Sequence, residues 1–216
     1  MPSVTETLLA WGIRPVACTR FCEQPDLPHV GGTKDPDVAA ITDLAPDLVV
    51  VDEEENRRED HDALVATGMA VHVLAVRDLA GLDVEMTGLA DAVGASWEPI
   101  GATTEPTATR RAWVPIWKRP WMALGEPTYG SAVLRALGVA NVAAAEGAYP
   151  EVDPDAARAA GADLVVAPSE PYPFTERHRA DLEPAARDVR FVDGRDLLWW
   201  GTRTRGALLR LAEQLG

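Results

Sequence analysis

The chain has 216 residues, of which 47% are hydrophobic and 25% charged, the usual balance of a folded globular protein. Its formal net charge of −14 argues against a nucleic-acid partner, because a phosphate backbone would be repelled and no basic stripe offsets the deficit. No apolar run is long enough to span a bilayer, and no secretory signal is written at the N-terminus. As written, the chain is expected to stay in the cytoplasm; a start upstream of Met1 would allow a periplasmic or cell-surface location.

The first part of the chain alternates short helices with apolar strands. Residues 3–6 (SVTE) form a capping-box pattern, which predicts a helix that ends at Gly12. The elements predicted after it are a strand over 15–19, a helix over 37–44, a strand over 48–51, an acidic turn over 52–56, a helix to about Thr67 and a strand over 70–75. Continuous apolar strands that alternate with helices are typical of a parallel sheet covered on both faces.

A longer helix is predicted over residues 81–98, because its apolar residues recur at steps of three and four. Residues 99–110, rich in threonine with Gly101 and Pro106, indicate a linker. The second part resumes the α/β order, with strands predicted over 112–117, 164–167 and 189–192 and helices over 129–137, 155–160, 175–187 and 202–215.

A short internal echo relates the two parts. Residues 35–39 (DPDVA) recur as 153–157 (DPDAA), and residues 45–50 (APDLVV) recur as 161–166 (GADLVV). Aspartate-capped helix–strand units can also recur by chance, since aspartate favours helix N-caps. We predict two parallel-sheet α/β lobes, over 1–80 and 107–216, joined by a bridging helix and linker over 81–106. A cleft between two such lobes is a favoured place for a small ligand.

Aromatic residues make up only 6% of the chain, yet many fall in loops near predicted strand ends of the second lobe, where α/β sheets bind ligands. Flat apolar rings with one polar edge suit a broad macrocycle. The alternative is that several fill the core, which we expect for Trp113. The aromatic residues predicted to contact a ligand are Trp117, Trp121, Tyr129, Tyr172, Trp199 and Trp200.

No pattern in the sequence predicts catalysis. There is no glycine-rich phosphate loop, no dinucleotide fingerprint and no Gly-x-Ser-x-Gly motif. The four histidines lack metal-ligand spacing; His61 and His178 are expected on solvated helix faces, and His29, in a loop, is the least unfavourable metal ligand. We therefore predict no enzyme activity, no catalytic residue and no covalent cofactor.

Acidic residues recur at corresponding places in both lobes. Glu55 and Glu59 belong to an acidic helix start, which the helix dipole favours, and Glu170 and Glu176 are their counterparts in the second lobe. One acidic site at the tip of each lobe could also dock into two arginine pockets on a partner.

Several motifs together resemble the helical-backbone metal receptors, the cobalamin-binding and siderophore-binding solute proteins of ABC importers. The likeness is greatest to the cobalamin-binding branch. The motifs occur in the right order over nearly the whole chain, at residues 2–8, 22–25, 30–37, 54–57, 117–122, 149–150, 170–174 and 199–201.

The resemblance implies a class III periplasmic-binding-protein fold, with two lobes bridged by one rigid helix. It implies capture of cobalamin or an iron chelate for a permease, with Cys22 among the ligand contacts and docking through Glu55 or Glu59 together with Glu170 or Glu176. The family also has a strand just before the motif at residues 2–6, so the N-terminal lobe as written is expected to lack its first strand. We predict that the chain holds such a chelate in the cleft between its lobes, for an ABC importer or as a soluble carrier. The alternatives are a tetrapyrrole chelatase-like enzyme and a degenerate paralogue that has lost the ligand. The chain is expected to be a monomer.

Overall fold

The computed structural model describes residues 1–101 and 106–216. The chain divides into two compact units: unit 1 comprises Met1–Val76 and Gly81–Pro99, and unit 2 comprises Arg77–Ala80 and Ile100–Gly216. Residues 102–105 of the predicted linker lie outside the described residues. Among the helices of the described ranges, none is long and apolar enough to cross a membrane.

Unit 1 contains a small parallel sheet with helices around it. Its two strands pair in parallel, with Val49 opposite Val71. Asp37 caps the second helix, since its side chain accepts a hydrogen bond from the N–H of Ala40 at 3.0 Å. The elements are α1 (Pro2–Ala10), α2 (Val38–Leu44), β1 (Val49–Asp52), α3 (Arg58–Ala66), β2 (Val71–Leu74) and α4 (Leu79–Val93), which starts in the short stretch assigned to unit 2.

Two predicted elements of unit 1 differ in the structure. Residues 15–19 form no strand, and Cys18 alone makes an isolated parallel bridge, to His29. The helix predicted over 81–98 ends at Val93 because Gly94 adopts a φ of 70° and the N–H of Ala95 donates back to the carbonyl of Ala90 at 2.8 Å.

Unit 2 is built on a four-stranded parallel sheet, whose strands lie in the order β6 (Val139–Asn141), β3 (Arg110–Trp113), β7 (Leu164–Pro168) and β8 (Asp188–Val192). Residues Leu164–Ala167 of the inner strand β7 are fully buried, as their continuous apolar run predicts. A separate antiparallel pair is formed by β4 and β5. The elements are β3 (Arg110–Trp113), β4 (Pro115–Trp117), β5 (Met122–Ala123), α5 (Tyr129–Ala136), β6 (Val139–Asn141), α6 (Pro154–Ala159), β7 (Leu164–Pro168), α7 (Arg179–Leu182), β8 (Asp188–Val192), α8 (Gly194–Leu198) and α9 (Thr204–Leu215).

The short elements β5, β6 and α8 have no predicted counterpart, and proline residues explain two further departures from prediction in unit 2. The strand predicted over 112–117 is divided, because Pro115 has no N–H to continue a ladder; β3 stays in the parallel sheet and β4 leaves it. The helix predicted over 175–187 is only a 3-10 turn (Glu176–His178) followed by α7, which ends two residues before Pro184.

Candidate functional site

Three of the predicted ligand-contacting residues come together on unit 2. Trp117 ends β4, Trp121 follows in the turn to β5, and Tyr172 lies in the loop after β7. Phe174 and His178 join them, and we call these five side chains the aromatic cluster: Trp117, Trp121, Tyr172, Phe174 and His178. The loop that follows a parallel strand is where α/β sheets commonly bind ligands.

The rings of the aromatic cluster form a continuous series of contacts. The Trp117 and Tyr172 rings meet edge to face with centroids 5.6 Å apart, and the Tyr172 and Phe174 centroids are 4.7 Å apart. Phe174 stacks on Trp121 at 6.1 Å, and Trp121 contacts the fully buried Trp113, which is a core residue as predicted. Trp117, at the other end of the series, is 47% exposed. The aromatic cluster therefore runs from the core to an open aromatic face.

His178 was expected on a solvated helix face, and this expectation is wrong. Its side chain is buried against the Tyr172 and Phe174 rings, with centroids 5.5 and 5.7 Å away. The segment is a 3-10 turn rather than an α-helix, so the helical pattern assigned the wrong face. Burial and the nearby cations Arg177 and Lys118 lower the pKa of His178.

Positive charge gathers beside the aromatic cluster, in a chain whose net charge is −14. The Lys118 ammonium lies 5.6 Å from the centre of the Trp121 ring and pairs with Asp181 at 2.6 Å. The hydrogen bond from Lys118, with the field of His178 and Arg119, lowers the pKa of Asp181. A flat apolar face with cations at its edge suits a flat ligand that carries carboxylates.

Trp199 and Trp200 occupy a second position in unit 2, after α8. The Trp199 ring is half-buried, and the guanidinium groups of Arg195 and Arg203 each lie 5.4 Å from its centre. Arg203 is tied to Asp196 at 2.8 Å. Trp200 is buried, with 7% of its surface exposed. Within the described ranges, neither the Trp199 ring nor the Trp200 ring contacts a ring of the aromatic cluster.

Tyr129 begins α5 and lies in the core of unit 2 with 5% of its surface exposed. Its hydroxyl is 2.8 Å from that of Thr204, the first residue of α9. Burial raises the pKa of the Tyr129 phenol. The ligand contact predicted for Tyr129 stays a prediction, and its surroundings in the structure are those of a residue that joins two helices.

Replacing Tyr129 with phenylalanine separates these two roles. The variant should lose about 1–2 kcal/mol of stability, because the buried Thr204 hydroxyl loses its partner. Affinity for the chelate predicted from the sequence should stay unchanged, as measured by titration beside denaturant unfolding. The control is Thr204→Val in both backgrounds, whose effect should shrink once the phenol is gone. A Tyr129→Phe variant with full stability and weak binding would instead place Tyr129 at the ligand.

Cys22 lies in the loop after Cys18 and is buried in unit 1. Its sulfur is 3.3 Å from the hydroxyls of both Thr5 and Thr19. Burial alone would raise the pKa of Cys22, but the N-terminal ammonium and the hydrogen bonds from the two threonines outweigh it, so the pKa is lowered. Burial and the neighbouring Cys22 raise the pKa of Cys18 to about 11. The ligand contact predicted for Cys22 remains a prediction for a side chain with 5% of its surface exposed.

His29 is exposed, and its Nε2 lies 3.3 Å from the carbonyl oxygen of Gln24. Among the described residues, no group of three or more His, Cys, Asp or Glu side chains could hold a metal ion. Whether His29 contacts a metal therefore remains the low-ranked prediction made from the sequence.

The acidic turn after β1 is exposed and is held in place by hydrogen bonds. Glu55 and Glu59 both face solvent, and the Thr33 hydroxyl donates to the Glu55 carboxylate at 3.2 Å. The Asp52 carboxylate accepts the N–H groups of Glu54 and Glu55 at 3.0 and 3.1 Å. Two motifs that carry the family resemblance, at residues 30–37 and 54–57, are thus in direct contact.

The predicted counterparts in unit 2 are less open. Glu170 is half-buried, and its Cγ lies 2.5 Å from where a Cβ on Gly194 would be. Glu176 is exposed, but both of its carboxylate oxygens accept from Arg179 at 2.7 Å. This pair lowers the pKa of Glu176.

Comparison with known proteins gives a fold. No protein-family model and no curated protein matches the chain. It is similar to the solved structure of periplasmic heme-binding protein BhuT in complex with two hemes, with a TM-score of 0.79, 22% identity and coverage of 99% of this chain and 95% of that one. It is also similar to periplasmic vitamin B12 binding protein BtuF of Vibrio cholerae, with a TM-score of 0.80, 17% identity and coverage of 100% of this chain and 94% of that one. A periplasmic heme binding protein from Pseudomonas aeruginosa is similar with a TM-score of 0.78, 21% identity and coverage of 98% of this chain and 88% of that one.

These likenesses confirm the predicted α/β fold of the class III periplasmic-binding-protein type. They extend over almost the whole of this chain and most of each similar chain. At identities of 22% and below they establish the fold alone.

Proposed function

We propose that this protein binds a flat metal chelate of the haem or corrinoid class, without chemistry of its own, for delivery to an ABC importer. The observation that carries the proposal is the exposed end of the aromatic cluster, at Trp117 and Tyr172, on this fold. Aromatic faces bury a large apolar area with little loss of side-chain freedom. Solved proteins with the same fold are named as heme- or vitamin B12-binding proteins.

Within that class, the charges beside the aromatic cluster favour a chelate with carboxylates at its edge. Lys118, Arg119 and Arg177 all act on groups of the cluster or next to it. Haem carries two carboxylates, whereas a neutral corrinoid would gain less from this charge. A ligand of this kind would place its flat face on Trp117 and its acidic edge near the cations.

Titration of the purified chain with haem, haem dimethyl ester and cyanocobalamin tests the proposal. Saturable binding of at least one of them, followed by absorbance of the chelate and quenching of tryptophan fluorescence, is expected. Binding of none would overturn the proposal and leave the degenerate paralogue as the alternative. Metal insertion into a free porphyrin would favour the chelatase alternative.

Trp117→Ala should weaken chelate binding about tenfold, because an anchoring ring in a half-open position contributes on the order of 1–2 kcal/mol. Leu209→Ala is the matched control, since Leu209 is an apolar residue of unit 2 that is 68% exposed and lies on α9. The two dissociation constants are compared by the same titration. Equal affinities for both variants and the wild type would remove Trp117 from the site.

Arg119→Gln should weaken haem binding severalfold at low salt and leave the dimethyl ester unaffected, because an ester has no charge for the guanidinium to pair with. Arg187→Gln, at another exposed arginine of unit 2, is the control. If Arg119→Gln weakens both ligands equally, the charge of Arg119 is not what selects the ligand.

The wider role follows from the same proposal. The proteins of this fold named above are periplasmic, and a periplasmic or cell-surface location goes with delivery to a permease. Docking would use Glu55 or Glu59 of unit 1 with Glu170 or Glu176 of unit 2. Glu55 is the better docking candidate of the two, because it is exposed and its turn is held by hydrogen bonds. The carboxylate of Glu176 is already paired with Arg179.

A further inference from the structure

Both cysteines of the chain lie in unit 1, where they form a small buried cluster with Leu27. Cys18 and Cys22 are each 5% exposed, and both are free thiols. The thiol of Cys18 hydrogen-bonds to that of Cys22. Buried cysteines commonly serve as small apolar residues, but two that contact each other can also be joined as a disulfide.

Backbone hydrogen bonds fix the positions of both cysteines. The N–H of Cys18 donates to the carbonyl of Pro28 at 2.9 Å, and its carbonyl accepts from the N–H of Val30 at 3.1 Å. The chain then turns, and the N–H of Cys22 donates to the carbonyl of Thr19 at 3.0 Å. A turn closed in this way brings its first and last Cα atoms within about 7 Å, so Cys22 returns to the neighbourhood of Cys18. A disulfide needs a Cα separation of about 4–7 Å.

The two thiols have different surroundings. The Cys22 sulfur lies 3.3 Å from the hydroxyls of both Thr5 and Thr19, and hydroxyl groups can donate to a thiolate. The side-chain hydrogen bond of Cys18 is with the Cys22 thiol itself. Because the thiolate is the nucleophile in thiol–disulfide exchange, these contacts favour Cys22 as the attacking thiol and Cys18 as the resolving one.

The turn between the cysteines is tied to the loop that precedes α2. The N–H of Arg20 donates to the carbonyl of Gly31 at 2.9 Å, and its guanidinium donates to both carboxylate oxygens of Asp35 at 2.7 and 2.8 Å. Thr33 of the same loop donates to Glu55, the docking candidate. The ion pair of Arg20 is open to solvent, so it holds the turn only weakly. A covalent bond across the turn would hold it, and the loop beside it, much more firmly.

We propose that Cys18 and Cys22 are a redox-active pair, which a small-molecule disulfide such as glutathione disulfide converts to an intramolecular disulfide that fixes the turn over residues 19–22. Opening of the turn, in which Phe21 is exposed, gives the oxidant access to the sulfurs. The inference is independent of the chelate proposed above.

The reaction proceeds by two exchanges. The Cys22 thiolate attacks one sulfur of the oxidant, a mixed disulfide forms and one glutathione thiolate leaves. The Cys18 thiolate then attacks the Cys22 sulfur, and the second glutathione leaves. The two protons lost by the cysteines end on the two released thiols, and two electrons pass from the pair to the oxidant.

Glutathione redox buffers test the pair in the full chain, with alkylation of the remaining thiols and intact mass as the readout. In the oxidising buffer the wild type should lose two hydrogen atoms of mass and take up no alkylating reagent. Trypsin cleaves after Arg20, between the cysteines, so the disulfide should appear as two joined peptides that separate only on reduction.

The single variants Cys18→Ser and Cys22→Ser are the matched controls. Cys18→Ser should stop at the mixed disulfide on Cys22, because no resolving thiol is left. Cys22→Ser should react roughly tenfold more slowly, because the remaining thiol lacks the two threonine hydroxyls.

The folded structure should favour the disulfide, because it already holds the two thiols together. At a given buffer composition, the ratio of disulfide to dithiol should be about tenfold or more higher in the folded chain than in the urea-unfolded chain. By linkage, the oxidised protein should unfold at a Tm higher by roughly 5 °C or more. Hydrogen exchange at the Arg20 and Cys22 amides, which close the turn, should slow in parallel.

Three results would overturn the proposal. Thiols that both stay open to alkylation after long incubation in the oxidising buffer would show that the pair does not react. Disulfide-linked dimers in place of the intramolecular bond would show that each thiol reacts with another chain. An equal disulfide ratio in the folded and unfolded chains, with an unchanged Tm, would show that the fold does not hold the two thiols as a pair.

Discussion

Replacing Asp196 with asparagine is expected to lower the stability of unit 2 by about 3 kcal/mol. Only 3% of Asp196 is exposed, and its carboxylate accepts from Arg203 at 2.8 Å and twice from Arg210 at 2.7 Å. Removing one member of a buried ion pair commonly costs about 3–5 kcal/mol, because it leaves the partner charge uncompensated. The lower end applies here, since the Arg210 side chain is 51% exposed.

Thermal unfolding measures this loss as a fall in the Tm of unit 2, by roughly 6–12 °C. The control is Asp155→Asn, which removes an ion pair with Arg158 whose side chains are 75% and 64% exposed, and which should cost less than about 0.5 kcal/mol. An Asp196→Asn variant as stable as the control would contradict the prediction.

The Asp196 carboxylate also determines how the stability of unit 2 changes as the pH falls. The hydrogen bond from Arg210 lowers the pKa of Asp196, so the folded state binds a proton there less readily than the unfolded state does. The stabilisation is therefore present above the ordinary aspartate pKa and is lost as the pH falls through the lowered value. Asp196→Asn should lack this part of the acid-induced loss. Since Arg203 also lies over the Trp199 ring, the variant tests whether Trp199 depends on Asp196 for its position.

The parts of the fold that could be predicted are those where burial controls the residue pattern. Residues 164–167 are apolar without interruption because both faces of β7 are covered. In unit 2, two of the errors lie at Pro115 and Pro184, where a missing N–H or a steric clash ends an element whose apolar pattern would otherwise continue. Those two signals were present in the sequence and would have corrected the boundaries.

The candidate site was predictable only in part. Loop aromatics after strands indicated Trp117, Trp121 and Tyr172, which do contact one another through Phe174 or directly. Burial of His178 depends on a 3-10 turn of three residues. The sequence pattern indicated an α-helix, and it does not reveal that the turn is short or that it directs His178 towards the core rather than towards solvent. In the sequence, Tyr129 is an aromatic residue near a predicted strand end, as Trp117 is. Its surroundings in the structure depend on a hydrogen bond with the hydroxyl of Thr204, which lies 75 positions later and which the local sequence does not indicate.

Asp52→Asn is expected to stabilise unit 1 at neutral pH by about 2 kcal/mol, although it removes a charge that accepts two hydrogen bonds. Burial raises the pKa of Asp52 from 3.8 to about 6, against the opposing effect of the N–H groups of Glu54 and Glu55. That difference corresponds to about 3 kcal/mol of unfavourable ionisation. An asparagine oxygen can accept the same two N–H groups without the charge, but its amide also loses hydration on burial, which reduces the gain.

The pH dependence distinguishes this explanation from a general improvement in packing. Between about pH 4 and pH 6 the folded state binds more protons at Asp52 than the unfolded state, so the stability that Asp52 contributes falls as the pH rises through this window. The advantage of Asp52→Asn should therefore be small near pH 4 and reach its full value by pH 7, as measured by urea unfolding at each pH.

Asp37→Asn is the matched control for the Asp52 substitution. Asp37 also accepts a backbone N–H, from Ala40, but it is exposed, so its replacement removes no buried charge and should not raise stability at pH 7. A less stable Asp52→Asn at pH 7 would mean that the acidic turn needs the negative charge itself. If the variant is more stable, the turn that carries Glu55 keeps its shape through hydrogen bonds alone. Any loss of the proposed permease docking on changing Glu55 would then reflect its exposed charge.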